Sequence, residues 1–232
     1  MRYTITHLDF NYPVQGGVIV SKTALLHGTY AVPVRVAVNA LRKLQRAYSE
    51  LYCIYDIWKH GKREPWVQIC HYRRIMDAPD TATCLPEPIH KNMNAQYARC
   101  HNLQDLLDCE QIIREKYAAY ALDFDALDKI YPCNMFVLCR EDFEAYCAFV
   151  FGVLGEFCKR RGLKTDADVL EYVKGNRDKY ADDRWYSAEY QARLLGYLAE
   201  RVGTIFFVKY FEGKQVQHAP IQVLGERLWK IQ

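Results

Sequence analysis

Residues 66–74 read Trp66-Val67-Gln68-Ile69-Cys70-His71-Tyr72-Arg73-Arg74, a β-prone stretch that leads straight into a histidine, a tyrosine and two adjacent arginines. Neighbouring guanidiniums repel each other, and a protonated histidine beside them adds to the cost. An anion placed among them relieves that repulsion. The planar fork of arginine donates two parallel hydrogen bonds to phosphate, so the block points to a phosphate-bearing ligand. The plainer reading is a strand that ends in surface arginines paired with local carboxylates. If the strand continues through the block, alternation puts His71 and Arg73 on one face and Tyr72 and Arg74 on the other.

Three further places carry polar residues where packing would not ask for them. Glu50 interrupts an otherwise apolar helical stripe, where a carboxylate is either paired with an arginine or functional. The segment from Tyr190 to Arg201 sets Gln191, Arg193, Glu200 and Arg201 on a helix that must otherwise pack. There Arg193 and Glu200 lie two turns apart on one face with Tyr197 between them, although a solvated face with intrahelical ion pairs would look the same. Asn134 opens a strand-like run, where its amide can read a sugar hydroxyl or simply satisfy a strand edge.

The elements that must position these residues follow from periodicity. Tyr3 to Leu8, Trp66 to Tyr72 and Asn134 to Cys139 read as strands, and Thr204 to Val208 as a last β-prone run. Val34 to Trp58 has helical spacing through Leu41, Leu44, Tyr48, Leu51, Tyr52 and Tyr55. Asn102 can cap a helix carrying Leu106 and Ile113, a long apolar helix from Phe143 stops near Gly162, and Ala188 to Val202 is helical. Asp77 to Pro88 reads as loop, and Lys164 to Trp185 as polar and exposed. The alternation of strands and helices favours an α/β fold, with a central mostly parallel sheet flanked by helices, in a single domain over residues 1–232.

Composition narrows the function. The chain is 50% hydrophobic and 25% charged, and its net charge of +3 lacks the basic stripe of a protein that binds nucleic acid through bulk electrostatics. No signal peptide is expected at Met1-Arg2-Tyr3, and no apolar run approaches the roughly 20 residues of a membrane span. The 9 cysteines are odd in number, scattered and without a CxxC pair, so a reducing cytoplasm is the natural compartment. Cys53, Cys109, Cys147 and Cys158 fall in apolar helical patterns as small core residues. His90, Cys100, His101 and Cys109 fit no common metal-ligand spacing.

Taken together, Tyr48-Ser49-Glu50-Leu51, Tyr55-Asp56-Ile57-Trp58-Lys59, His71-Tyr72-Arg73-Arg74, Gln96-Tyr97, Cys100-His101, Tyr131-Pro132-Cys133-Asn134-Met135-Phe136 and Gln191-Ala192-Arg193 with Gly196 to Arg201 resemble the signature of the DUF4422 family. His7 matches a histidine at the end of that family's first strand. The resemblance implies a GT-A-like nucleotide-sugar-binding fold and a glycosyltransferase of bacterial capsule, exopolysaccharide or O-antigen synthesis, with galactofuranose transfer from a UDP sugar in some relatives. It implies a nucleotide-sugar donor, a glycan or lipid-linked acceptor, and a cytoplasmic location that could extend to the inner face of the membrane. Two departures stand out: Ser49-Glu50-Leu51-Tyr52 replaces Cys-Glu-Leu-Thr, and Asp56 replaces an aromatic. The segment between His7 and Val34 is also atypical.

On this reading His7, Trp58, Tyr72, Arg73, Arg74, Asn134, Gln191 and Arg193 are expected on the donor or substrate. Glu50, His71 and Glu200 are the candidates for the base of an inverting transfer, with His71 and Glu50 ahead of Glu200. GT-A enzymes commonly hold a divalent metal through Asp-x-Asp. The two triplets here, Asp123-Phe124-Asp125 and Asp166-Ala167-Asp168, lie in helix-flanking segments rather than after a strand. No cofactor is therefore expected to be required, although an ion such as manganese is left open, and fixed arginine charge is expected to neutralise the leaving diphosphate. A non-catalytic nucleotide- or glycan-binding module on the same fold is the alternative.

Overall fold

The computed structural model describes residues 1–6, 17–22, 34–79, 81–180 and 186–223. Its strands are β1 (Arg2–Thr6), β2 (Val18–Ser21), β3 (Val34–Val36), β4 (Trp66–His71), β5 (Arg74–Met76), β6 (Cys84–Pro86), β7 (Ile89–His90), β8 (Lys129–Ile130), β9 (Phe136–Cys139), β10 (Gln217–Ala219) and β11 (Ile221–Val223). Its α-helices are α1 (Gln45–Tyr48), α2 (Leu51–His60), α3 (Met93–Ala98), α4 (Leu103–Lys116), α5 (Arg140–Arg161), α6 (Asp166–Gly175), α7 (Ala188–Gln191) and α8 (Leu194–Tyr210).

The main sheet runs β10-β6-β9-β4-β1-β2-β3. The β3-β2-β1-β4 half is parallel, so Val36, Ser21, Thr6 and His71 end on one edge. β9 joins β4 and β6 antiparallel, and β10 returns to parallel on β6. β4 is buried along Val67 to Cys70 on both faces, which is why it reads as a continuous apolar run rather than an alternating one. Its one buried polar side chain, Gln68, takes a bond from Arg2 Nε (2.8 Å) and donates to the Met76 carbonyl (3.3 Å). This is an α/β fold with a mostly parallel central sheet flanked by helices.

Several local expectations are met and others are overridden. Asn102 caps α4 through its side chain, and Gly162 ends α5 in the left-handed region (φ 69°), where a Cβ would be strained. The expected continuous helix from Val34 to Trp58 is instead an edge strand, a short turn of helix, and then α1 and α2 separated at Ser49 (φ 52°). The β-prone run Thr204 to Val208 lies inside α8. Residues 202–207 of that helix are buried on every side, so tertiary packing outweighs the preference of β-branched and aromatic residues for strands. The segment after Gly162 is not uniformly exposed: Thr165 and Asp168 form a capping box for α6, which buries Val169 and Val173. Within the expected loop 77–88, Cys84 to Pro86 forms the buried strand β6.

α5 and α8 pack on the sheet through an aromatic cluster. The Tyr146 and Phe207 rings lie nearly parallel with centroids 5.3 Å apart, and Phe136 of β9 sits 4.8 Å from Tyr146. α4 is tied to α6 through Asp105, which is fully buried. It accepts from Asn102 Nδ2 (3.2 Å) and from the Tyr172 hydroxyl (2.5 Å).

Burial pushes the Asp105 carboxyl from its usual 3.8 up to about 6, against the pull of the Tyr172 bond and Arg161. The folded protein holds this proton more tightly than the unfolded chain does. The stability it contributes is complete below the unfolded value and is lost as pH rises through the folded one. Asp105→Asn is expected to raise the melting temperature by several degrees at pH 8, since each tenfold change in proton affinity is worth about 1.4 kcal/mol, and by clearly less at pH 4. Thermal melts at the two pH values check this; equal gains would show that Asp105 does not hold a proton.

Candidate functional site

Open α/β sheets bind ligands outside the carboxyl edge of their parallel strands. A cleft of about 520 Å³ opens there, within the range of small-molecule sites. Its walls come from the β4–β5 hairpin, the Ser49-Glu50 break, the ends of α3, the turn before β9, and α7 with α8.

The hairpin supplies the first wall. β4 ends at His71, which pairs directly with Arg74 of β5, so the chain reverses over Tyr72 and Arg73. The alternation expected for a continuing strand therefore does not occur. His71, Arg73 and Arg74 all line the cleft, while Tyr72 alone turns into the interior, 1% exposed, with the Arg73 guanidinium 5.2 Å from its ring. The Arg73 backbone N–H donates to His71 Nδ1 (3.2 Å). A neutral His71 then carries its proton on Nε2 and acts as a donor from that atom.

Two carboxylates face this wall. Glu50 follows the positive-φ residue Ser49. Arg193, at the start of α8, donates from Nε and Nη2 to Ser49 Oγ (3.1 and 2.7 Å) and places Nη2 3.7 Å from Glu50 Oε2. The arginine partner expected for Glu50 is thus Arg193. Asn134 Nδ2 donates to Glu50 Oε1 (2.9 Å), and the Cys133 backbone N–H donates to Glu200 Oε1 (3.0 Å). Cys133 and Asn134 both have positive φ (70° and 49°), a turn that costs about 1–3 kcal/mol per residue and persists where its surroundings over-determine it. Here the two carboxylates are what hold it.

The two acids are driven apart in proton affinity. For Glu50, burial alone would raise the pKa. Bonds from Ser49, Asn134 and its own backbone, together with the Arg193 charge, outweigh burial and hold the pKa below the ordinary value. For Glu200, burial dominates and the Glu50 charge adds to it, so its carboxyl is raised despite Arg201. One carboxyl is shifted toward its ionised form and its neighbour toward its protonated form, the kind of separation that distinguishes acid from base.

The cleft is rich in cations: Arg73, Arg74, Lys91, Arg99, Arg193 and Arg201 surround the two glutamates. Arg201 is committed to Glu200 Oε2 (2.9 Å), the Tyr197 carbonyl (3.0 Å) and Gln96. Arg74, Lys91 and Arg99 have no carboxylate partner among the described residues. Of the residues expected from sequence, Glu50, His71, Arg73, Arg74, Arg193 and Glu200 line the cleft, and Asn134 buttresses Glu50. Trp58 is placed elsewhere, stacked parallel on Phe151 (5.7 Å) beneath Lys59. Tyr72 is buried, and Gln191 sits behind the wall between the Cys100 carbonyl and His101. His7 lies outside the described residues.

Lys91, Arg99, Tyr190 and the bonds that Arg201 makes gave no local sign of a role, because isolated polar residues beside or on helices read as solvated surface. Cys100-His101 and Gln96 appeared in the resemblance without an assigned function. The expectation of intrahelical pairing along 190–201 holds for Arg201, which pairs with Glu200 and also reaches Gln96, but not for Arg193, which reaches across to Ser49 and Glu50.

Neither Asp-x-Asp triplet reaches the cleft. Asp166 caps α1 by accepting from the Arg46 and Ala47 N–H groups (3.0 and 2.9 Å), and Asp168 caps α6. Asp123 accepts from the Asp125 N–H (3.0 Å) in a surface turn. Among the described residues no three His, Cys, Asp or Glu side chains converge as metal ligands.

Gly196 lets α8 approach the Ser49 break: a Cβ there would lie 2.8 Å from Ser49 Cβ. Gly196→Ala is expected to destabilise the fold by about 1 kcal/mol, because overpacking costs about 1–3 kcal/mol and helix propensity returns about 1. Chemical denaturation checks this; a stabilised variant would show that the approach is not tight.

Residues 79–176 match the family described as Domain of unknown function (DUF4422). That stretch includes Lys91, Arg99, His101 and the Cys133-Asn134 turn. No curated protein matches the chain. Among solved structures it is similar to the apo structure of the bifunctional glycosyltransferase WbbM, with 17% identity and a TM-score of 0.71 over 97% of this chain and 45% of that one. The chain thus spans less than half the length of that protein, and at this identity the likeness is one of fold. Among the described residues no helix is long and apolar enough to cross a membrane. The chain has a glycosyltransferase-like α/β fold and carries the DUF4422 match across residues 79–176.

Proposed function

We propose that the chain transfers a sugar, with galactofuranose the first candidate, from a UDP sugar to a glycan or lipid-linked acceptor in surface polysaccharide synthesis at the cytoplasmic face of a membrane. The observation that carries this reading is a cation-lined cleft at the carboxyl edge of parallel strands, with two carboxylates of opposed proton affinity at its centre. The glycosyltransferase-like fold supports it.

In this reading the acceptor hydroxyl attacks the anomeric carbon while the bond from that carbon to the diphosphate oxygen breaks. The hydroxyl proton passes to Glu200, whose raised pKa suits a general base better than that of Glu50. Glu50 stays ionised and orients Arg193. The diphosphate leaves as UDP, its developing charge met by Arg73, Arg74 and Arg193 and by the Nε2–H of His71. His71 thereby serves as a donor, which reverses the order of base candidates expected from sequence. The fixed guanidiniums do the work a divalent ion would otherwise do.

UDP release from UDP-galactofuranose or UDP-galactose, assayed with glycan acceptors in EDTA, tests the reading. Turnover is expected to persist. Binding without release would leave a non-catalytic module, and loss restored by manganese would show that an ion is needed. Arg73→Ala is expected to weaken UDP binding about 10- to 100-fold, the worth of charge-assisted hydrogen bonds, while Arg2→Ala does not. Glu200→Gln is expected to lower kcat about 10²- to 10⁴-fold with UDP affinity retained. It should also abolish an acidic limb of the pH profile that lies above the ordinary carboxylate range. An unchanged limb would move the base elsewhere.

A further inference from the structure

His101, just before α4, is 5% exposed yet lines the cleft. Gln191 Nε2 donates to the Cys100 carbonyl (2.6 Å), which turns Gln191 Oε1 toward His101 Nδ1 at 2.7 Å. An amide oxygen only accepts, so Nδ1 carries the proton. In the neutral ring Nε2 is then an acceptor with no partner among the described residues. Burial, with Arg201 nearby, lowers the pKa of this imidazole to about 4 despite the Gln191 bond, so it is neutral at physiological pH.

A bare acceptor is out of place in a cleft lined with cations. A phosphate offers it no proton, whereas a sugar hydroxyl does. The surrounding rings point the same way. His101 stacks on Tyr197 (centroids 4.3 Å apart, 26°) and lies parallel to Tyr190 (6.3 Å, 9°), which is 37% exposed. Aromatic faces suit the C–H-rich face of a sugar ring. The Arg193 guanidinium sits 5.5 Å from the Tyr197 ring, so this wall adjoins a cation assigned to the diphosphate. The ring bonded directly to that diphosphate is the donor's sugar.

We propose that Tyr190, His101 and Tyr197 form the donor-sugar subsite, in which the aromatic rings carry the sugar's apolar face and His101 Nε2 accepts a hydrogen bond from one of its hydroxyls. Gln191 is the positioning residue that fixes the tautomer. This rests on the nucleotide-sugar reading above.

Calorimetric titration with UDP, UDP-galactose and UDP-galactofuranose tests it on the wild type, His101→Phe and Tyr190→Ala. His101→Phe keeps a ring and removes the acceptor; Tyr190→Ala alters an exposed side chain and guards against misfolding. Each variant is expected to lose about tenfold in affinity for the preferred sugar conjugate while its UDP affinity stays within about twofold. Equal losses for UDP and conjugate, or no loss in either variant, would overturn the subsite alone. A wild-type protein that binds no uridine nucleotide would overturn the transferase reading and this subsite with it.

Discussion

Two carboxylates brought together in a crevice cannot both shed their protons without compensation, and the site is organised around that problem. Glu50 comes from the break before α2 and Glu200 from α8, places far apart in the chain. Both are largely withdrawn from water, with side chains 14% and 21% exposed. An unpaired buried charge costs several kcal/mol, so each must be bonded or neutral. Glu50 is bonded by Ser49 and Asn134 and faced by Arg193. Glu200 has a backbone N–H and Arg201, and still keeps a raised affinity for its proton. The irregular backbone of the region follows from this. Ser49, Cys133 and Asn134 are the non-glycine residues with positive φ among those described, and each sits against one of the two acids.

The sheet contributes what helices alone would not. Four parallel strands end on one edge, and the hairpin at the end of β4 turns three basic side chains to the same side. A strand that simply ran on would have sent Arg74 to the opposite face. The reversal concentrates charge where an anion can meet it, and the same backbone turn fixes the tautomer of His71. Opposite, Gln191 fixes the tautomer of His101 in the other sense. When neutral, the two imidazoles therefore carry their protons on opposite ring nitrogens, His71 on Nε2 and His101 on Nδ1. That asymmetry matches a ligand with an anionic part and a hydroxylated part.

Arg193 joins the two halves. It bonds Ser49, faces Glu50 and lies by Tyr197, so its position depends on the close approach of α8 to the α1–α2 break that Gly196 allows.

The fold class, the identity of β4, the caps at Asn102 and Gly162 and the basic cluster at the strand end were all legible along the chain. These depend on local period, local capping chemistry and a run of adjacent residues. Glu50 was legible too, because a carboxylate in an apolar helical stripe is conspicuous without a partner, and Glu200 stood out only as one of several polar residues on a helix that must otherwise pack. Who the partners are was settled only by folding. That Arg193 reaches Ser49 and Arg201 reaches Gln96 depends on residues 144 and 105 positions away, which no local period encodes. The same holds for Trp58, whose ring reads as a surface for a ligand and instead packs on Phe151. Thr204 to Val208 became helix because burial on every side outweighs a propensity of less than about 1 kcal/mol per residue. His101 owes its tautomer to Gln191, 90 positions later, since the tautomer of a buried imidazole is set by the bond made to its other nitrogen.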